Sequence, residues 1–151
     1  MPAKLTVKLS NLKHNIDSIK EKLHDGQEIL AMVKADAYGS GLVEATKYLE
    51  ENGIKNFGVA YLKAAKKLRN NGIKGKIVVF SGLLPYETEE AVNVDAIYSV
   101  SNTDILYALN EKASKKTLDC RVFDIGSLYH IYSVWTQWYT DTSGGAIGRM
   151  V

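Results

Sequence analysis

The sequence predicts an α/β chain of parallel strand–helix units, and three observations support this. Short apolar runs alternate with stripes of apolar residues at three- and four-residue steps, from about residue 9 to residue 119. Successive runs begin roughly 20 to 28 residues apart, room for one strand, one helix and two short turns. The composition is that of a globular domain: 151 residues, 46% hydrophobic and 24% charged. About five units are expected. The pattern leaves open whether they form a (β/α) barrel or a doubly wound sheet.

Each element has its own warrant. Leu9, Leu12, Ile16, Ile19 and Leu23 form one helical stripe, with Ser10 as a candidate cap and Asp25-Gly26 as a stop. The run from Glu28 to Val33 is expected as a strand buried on both faces. A second helix should run from about Leu42 to Glu51 and end at Asn52-Gly53. Phe57-Gly58-Val59-Ala60 is the next strand. A third helix then turns Leu62, Ala65 and Leu68 inward and stops at Asn71-Gly72. Lys76 to Phe80 is a strand rich in β-branched residues. A short helix over Glu87–Val92, a strand over Asp95–Val100 and a helix carrying Ile105, Leu106 and Leu109 come next, the last capped near Thr103 or Asp104. Arg121-Val122-Phe123 begins one more strand.

Composition excludes several classes. The single cysteine, Cys120, rules out a disulfide framework and suits a reducing compartment. No membrane-length apolar run occurs, and Met1-Pro2-Ala3-Lys4-Leu5 does not open a signal peptide, so a cytoplasmic protein is expected. A net charge of +2 gives no reason to expect nucleic acid or a membrane surface as partner.

The chemistry concentrates in Ala31-Met32-Val33-Lys34-Ala35-Asp36-Ala37-Tyr38-Gly39-Ser40-Gly41. A lysine ends an apolar strand, and a turn with two glycines leads from it into a helix. Burying a lysine is costly, yet at the carboxyl end of a parallel strand its amine reaches the face where such folds place their sites. Partial burial there lowers an ammonium pKa and leaves a nucleophile able to form a Schiff base. The purely structural alternative is a lysine snorkelling to solvent with Asp36 as its surface partner.

Val33-Lys34-Ala35-Asp36-Ala37-Tyr38-Gly39 closely resembles the pyridoxal-phosphate attachment motif of bacterial alanine racemases. The resemblance continues through Leu12-Lys13-His14-Asn15-Ile16, Gly58-Val59-Ala60, Ala65, Leu68-Arg69, Gly72-Ile73 and Ile77 to Gly82, and covers about residues 5 to 119. It implies part of a (β/α) TIM-type barrel with pyridoxal 5'-phosphate held by Lys34 as a Schiff base. Lys34 would then act as acid/base on one face of the alanine Cα, interconverting L- and D-alanine. Tyr38 matches the tyrosine that reaches the cofactor phosphate; its alternative is an aromatic packed beside the strand end. The intact family is a homodimer in which a partner-subunit tyrosine serves the opposite face.

The chain departs from the family pattern at Ser40, usually histidine, and at Ala64, usually glutamate. The larger break comes near Cys120. Every lysine lies at or before Lys116, while Trp135, Trp138 and several tyrosines crowd the lysine-free stretch beyond. The family's Asp-Thr-Gly-Met-x-Arg motif is echoed only by Asp124-Ile125-Gly126-Ser127 and, at the wrong spacing, by Asp141-Thr142-Ser143-Gly144 with Gly148-Arg149. Arg149 is the remaining candidate for the substrate-binding arginine. The expected organisation is therefore a racemase-like part over residues 1–122 and a divergent, aromatic-rich tail over 123–151, frameshifted or rearranged. A barrel takes about 250 residues, so this chain reads as an incomplete form with little activity of its own.

Weaker signals have ordinary readings. Lys63, Lys66, Lys67, Arg69, Lys74 and Lys76 make a solvated basic face. Gly39-Ser40-Gly41 before a helix offers amides to a phosphate, though it matches no phosphate fingerprint. His14, His24 and His130 lack ligand spacing, so no metal is expected, and Cys120 suits a small buried hydrophobe. Two other functions compete: a broad-specificity amino-acid racemase on the same barrel, and a non-catalytic half-barrel that binds cofactor or self-associates.

Overall fold

The fold comes from a computed structural model whose described residues are 6–100, 102–116, 121–124, 136–139 and 148–150. Elements run in the order α1 (Leu9–Lys20), β1 (Leu30–Met32), α2 (Lys34–Tyr38), α3 (Leu42–Glu51), β2 (Asn56–Val59), α4 (Leu62–Asn70) and β3 (Lys76–Val79). A 3₁₀ turn (Pro85–Glu87), α5 (Thr88–Ala91), β4 (Ile97–Val100), α6 (Thr103–Lys116), β5 (Arg121–Asp124), β6 (Thr136–Tyr139) and β7 (Gly148–Met150) complete them. Among these, no helix is long and apolar enough to cross a membrane.

The strands make one seven-stranded sheet in sequence order, β1 to β7. β1 through β5 pair parallel, each with the next, whereas β5–β6 and β6–β7 pair antiparallel. A doubly wound sheet must reverse its strand order to put helices on both faces. No reversal occurs here. With right-handed crossovers all advancing in one direction, α3 to α6 collect on one side, leaving the other as the inward face of a partial barrel. α3 packs on α4 and α5 on α6, as that arrangement requires.

The helix-covered side holds the dry core. Register places Val33, Val59, Val79 and Tyr98 in one row, each no more than 1% exposed. Phe57 and Ile77 lie two residues lower on the same side, equally buried. The hydroxyl of Tyr98 is satisfied inside this core, donating toward the carbonyls of Ala91 at 3.0 Å and Val94 at 3.1 Å. Gly58 belongs to the inward side, where an added Cβ would sit 2.3 Å from Met32 Sδ and 2.9 Å from Phe80 Cε2.

Two helices end as their sequences indicate. After α3, Gly53 (φ 88°) lets its own amide reach Glu50 and the Ile54 amide reach Leu49. After α4, Gly72 (φ 87°) repeats the pattern, with its amide on Arg69 and the Ile73 amide on Leu68. These are Schellman closures, which need a left-handed residue and therefore favour glycine.

Elsewhere the structure corrects the expectation from sequence. Ser10 lies inside α1, whose cap position is Lys8 without a side-chain bond. The α1 stripe is only partly used: Ile16 is buried but Ile19 is 49% exposed. β1 is a sheet edge and half-exposed, because among the described strands it pairs only with β2. β4, with all four residues buried, is closed on both faces as β1 is not. α6 is capped by Asn102, whose Oδ1 accepts the Asp104 amide at 2.7 Å. Cys120, His130, Trp135 and the stretches 125–127 and 141–144 lie outside the described residues.

Candidate functional site

Lys34 comes directly after β1, at the carboxyl end of the parallel sheet. The ladder continues past the last residue of the strand, since the Val33 amide donates to the Gly58 carbonyl at 2.8 Å. Ala60, Phe80 and Ser99 make the uppermost inward row of the neighbouring strands. Val33, with ψ 22°, already leaves the extended conformation, so Lys34 stands just past the end of the ladder, where the turn begins. Met32, Gly58, Val78 and Ile97 form the apolar row beneath the uppermost one. The strand thus delivers Lys34 to the carboxyl end of the sheet, next to the apolar row of its inward face.

The turn after Lys34 has an unusual backbone. Ala35, Asp36, Ala37 and Tyr38 all have positive φ, between 50° and 55°, and Gly39 continues at 83°. α2 is therefore a single turn wound left-handed, although alanine is the strongest right-handed helix former. Each L-residue held this way costs roughly 1–2 kcal/mol, so the surroundings must over-determine the turn. They do so through the backbone. Ala37 donates to Val33 at 3.0 Å, Gly39 to Ala35 at 3.2 Å and to Asp36 at 3.1 Å, Ser40 to Ala37 at 3.1 Å, and Gly41 to Asp36 at 3.0 Å. Asp36 Oδ1 then accepts the Leu42 amide at 2.9 Å, closing the first turn of α3.

This geometry decides several expectations. The amides of Gly39, Ser40, Gly41 and Leu42 are bonded within the loop, so they are not the phosphate cradle that Gly39-Ser40-Gly41 suggested. Asp36 directs its carboxylate to α3 rather than serving as a surface partner of Lys34. Lys34 is exposed, not partly buried. Tyr38 is 65% exposed, which removes the packed-aromatic alternative. Lys34 and Tyr38 thus stand at the two ends of one left-handed turn, amine and phenol both open to solvent.

Arg149 is not brought to them. It stands on β7, opposite Trp138 of β6, at the other end of the strand order from β1. Its side chain lies outside the described residues.

Known proteins settle the ancestry. Residues 7–123 match the family described as alanine racemase, N-terminal domain. The chain belongs to the alanine racemase family. An alanine racemase of Clostridium kluyveri is 40% identical over 114 residues, covering 73% of this chain and 29% of that protein. An alanine racemase of Clostridium difficile, solved in complex with cycloserine, superposes with a TM-score of 0.73 at 30% identity, covering 79% of this chain and 34% of the other. A histidine racemase of Leuconostoc mesenteroides superposes at 0.68 with 30% identity, covering 76% and 30%. The chain therefore spans about a third of the racemases it matches, and within this family the sheet is the opening part of a TIM-type barrel.

Two roles escape the sequence and become visible in the fold. Asp36 reads as a surface partner of Lys34, and no local pattern announces that its carboxylate accepts the Leu42 amide six residues on. Arg69 reads as one of a basic cluster, yet it is half-buried. Its Nη1 donates to the carbonyls of Ile73 and Gly75 at 2.7 and 2.8 Å, and its Nε to Asp95 at 2.8 Å. The lysines around it are exposed, as a solvated face requires.

Proposed function

We propose that this chain is the lysine-bearing part of a pyridoxal-phosphate-dependent racemase that interconverts L- and D-alanine. The observation that carries the reading is Lys34, exposed at the carboxyl end of β1 and joined to Tyr38 by the left-handed turn. The residues fit the cofactor: an accessible primary amine suits its aldehyde, and an accessible phenol suits its phosphate. When bound, pyridoxal phosphate supplies an electron sink that makes the Cα proton of an amino acid removable.

Within that reading, Lys34 Nζ would hold the cofactor and would take or return the proton on one face of Cα. The Tyr38 hydroxyl would donate a hydrogen bond to a phosphate oxygen. The apolar row of Met32, Val78 and Ile97 walls the site on its inner side. Alanine as substrate, a cytoplasmic location and a homodimer belong to the same proposal, as do the 1–122 and 123–151 divisions. The second acid/base falls to a partner subunit, so the purified chain alone is expected to form little D-alanine.

The test is incubation with pyridoxal phosphate, borohydride reduction and peptide mapping. An adduct at Lys34 that disappears in Lys34→Ala supports the reading; labelling spread evenly over surface lysines overturns it. A second reading keeps the same lysine chemistry on another amino acid, and the similarity to a histidine racemase favours it. A panel of amino acids offered to the full-length assembly separates the two.

A further inference from the structure

We infer that Asp36 is a positioning residue: it holds the left-handed turn that sets the Lys34 amine and the Tyr38 hydroxyl relative to each other. The inference rests on the proposed function for the meaning of those two groups, but its structural content stands apart from that.

Asp36 is the residue on which the turn converges. Its backbone carbonyl accepts the amides of both Gly39 and Gly41, at 3.1 and 3.0 Å. Its carboxylate accepts the Leu42 amide at 2.9 Å. Three donors from the outgoing chain thus end on one residue. The third ties the exposed turn to α3, whose first residues Leu42, Val43 and Ala45 are buried. Aspartate and asparagine enter the left-handed region more readily than other non-glycine residues, because their short polar side chains bond locally. Ala35 and Ala37 have no such means and are carried into that region by their neighbour. Lys34 lies two residues before Asp36 and Tyr38 two after, so any rewinding of the turn moves the amine and the phenol together.

Asp36→Asn keeps an acceptor oxygen and the left-handed tolerance, whereas Asp36→Ala removes both. The readout is the ratio of borohydride-trapped pyridoxal phosphate at Lys34 to that at Lys63, an exposed lysine on α4. A general loss of stability would raise labelling at every lysine, whereas loss of positioning lowers the ratio. Asp36→Ala is expected to cut the ratio about tenfold with the melting temperature nearly kept, and Asp36→Asn to stay within about threefold of the parent. An unchanged ratio in Asp36→Ala overturns the inference. Should the parent chain show no preference for Lys34, the proposed function falls, and Asp36 is judged by amide exchange at Leu42. That exchange should quicken about tenfold in Asp36→Ala and not in Asp36→Asn; equal rates reject the role. The same comparison in an Ala35→Gly background, where one strained alanine is relieved, covers the case in which Asp36→Ala alone does not fold.

Discussion

On β3, Val79 is sealed from water while Val78, one residue earlier and facing the other way, is only half-buried. The same contrast appears at the carboxyl ends of β1 and β3. Val33, Val59 and Phe57 on the helix side are no more than 1% exposed, whereas Met32 and Phe80 on the inward side retain partial exposure. One face is finished by this chain's own helices. The other carries an apolar row with Lys34 next to it. A parallel sheet with helices on one side is dry on that side, and in barrels of this kind sites sit at the carboxyl ends of the strands, the end at which Lys34 stands. The division lies in the pleat and at the strand end: alternate residues of β3 differ in burial, and Lys34 comes where β1 has stopped.

The sharpest way to break this comparison is a pair of truncations. Phe57→Ala, on the helix side, should cost about 3–5 kcal/mol, whereas Phe80→Ala, on the inward side, should cost about 1–2 kcal/mol because less of its ring is removed from water. Denaturant titration measures both, and equal losses would mean that the two faces are equally packed. A gentler test uses neighbours. Val79→Thr places a hydroxyl in the dry core and should lose about 1–3 kcal/mol, while Val78→Thr should stay within about 0.5 kcal/mol. The order of their melting temperatures decides the matter.

The smallest effect lies outside the sheet, on the exposed surface of α1. Lys13 Nζ donates to Asp17 at 2.5 Å, and this bond holds the Asp17 carboxyl below its ordinary range. A carboxylate whose pKa is depressed on folding stabilises the fold above the unfolded value and loses that contribution as pH falls through the folded one. Acidification should therefore loosen α1 slightly, and Lys13→Ala should move the Asp17 titration midpoint upward when tracked by carboxyl NMR. An unmoved midpoint would show that the pair does not persist in solution, as is common for exposed ion pairs.

Much of the scaffold is legible because its signals are local. Asn52-Gly53 and Asn71-Gly72 announce left-handed helix ends, and α3 and α4 stop there. Leu62, Ala65 and Leu68 share one face of a 3.6-residue helix, and all three are buried. β1 reads as doubly buried, wrongly, because an apolar run cannot reveal whether its strand lies inside a sheet or at its edge. The candidate site is half legible. Lys34 and Tyr38 stand out as residues, but Ala35-Asp36-Ala37 reads only as part of a turn, and its left-handed course depends on bonds to Gly39, Gly41 and Leu42. Arg69 is hidden for the same reason, since its carbonyl partners include one on Asp95.

By itself, then, the sequence determined the alternation of strands and helices, most of their ends, and which lysine to suspect. Periodicity, glycine and side-chain chemistry act over a few residues and need no neighbour to be read. Tertiary structure decided that the strand order never reverses, so that the helices gather on one side, and that a left-handed turn separates Lys34 from Tyr38. Both depend on hydrogen bonds between segments whose meeting no local pattern records.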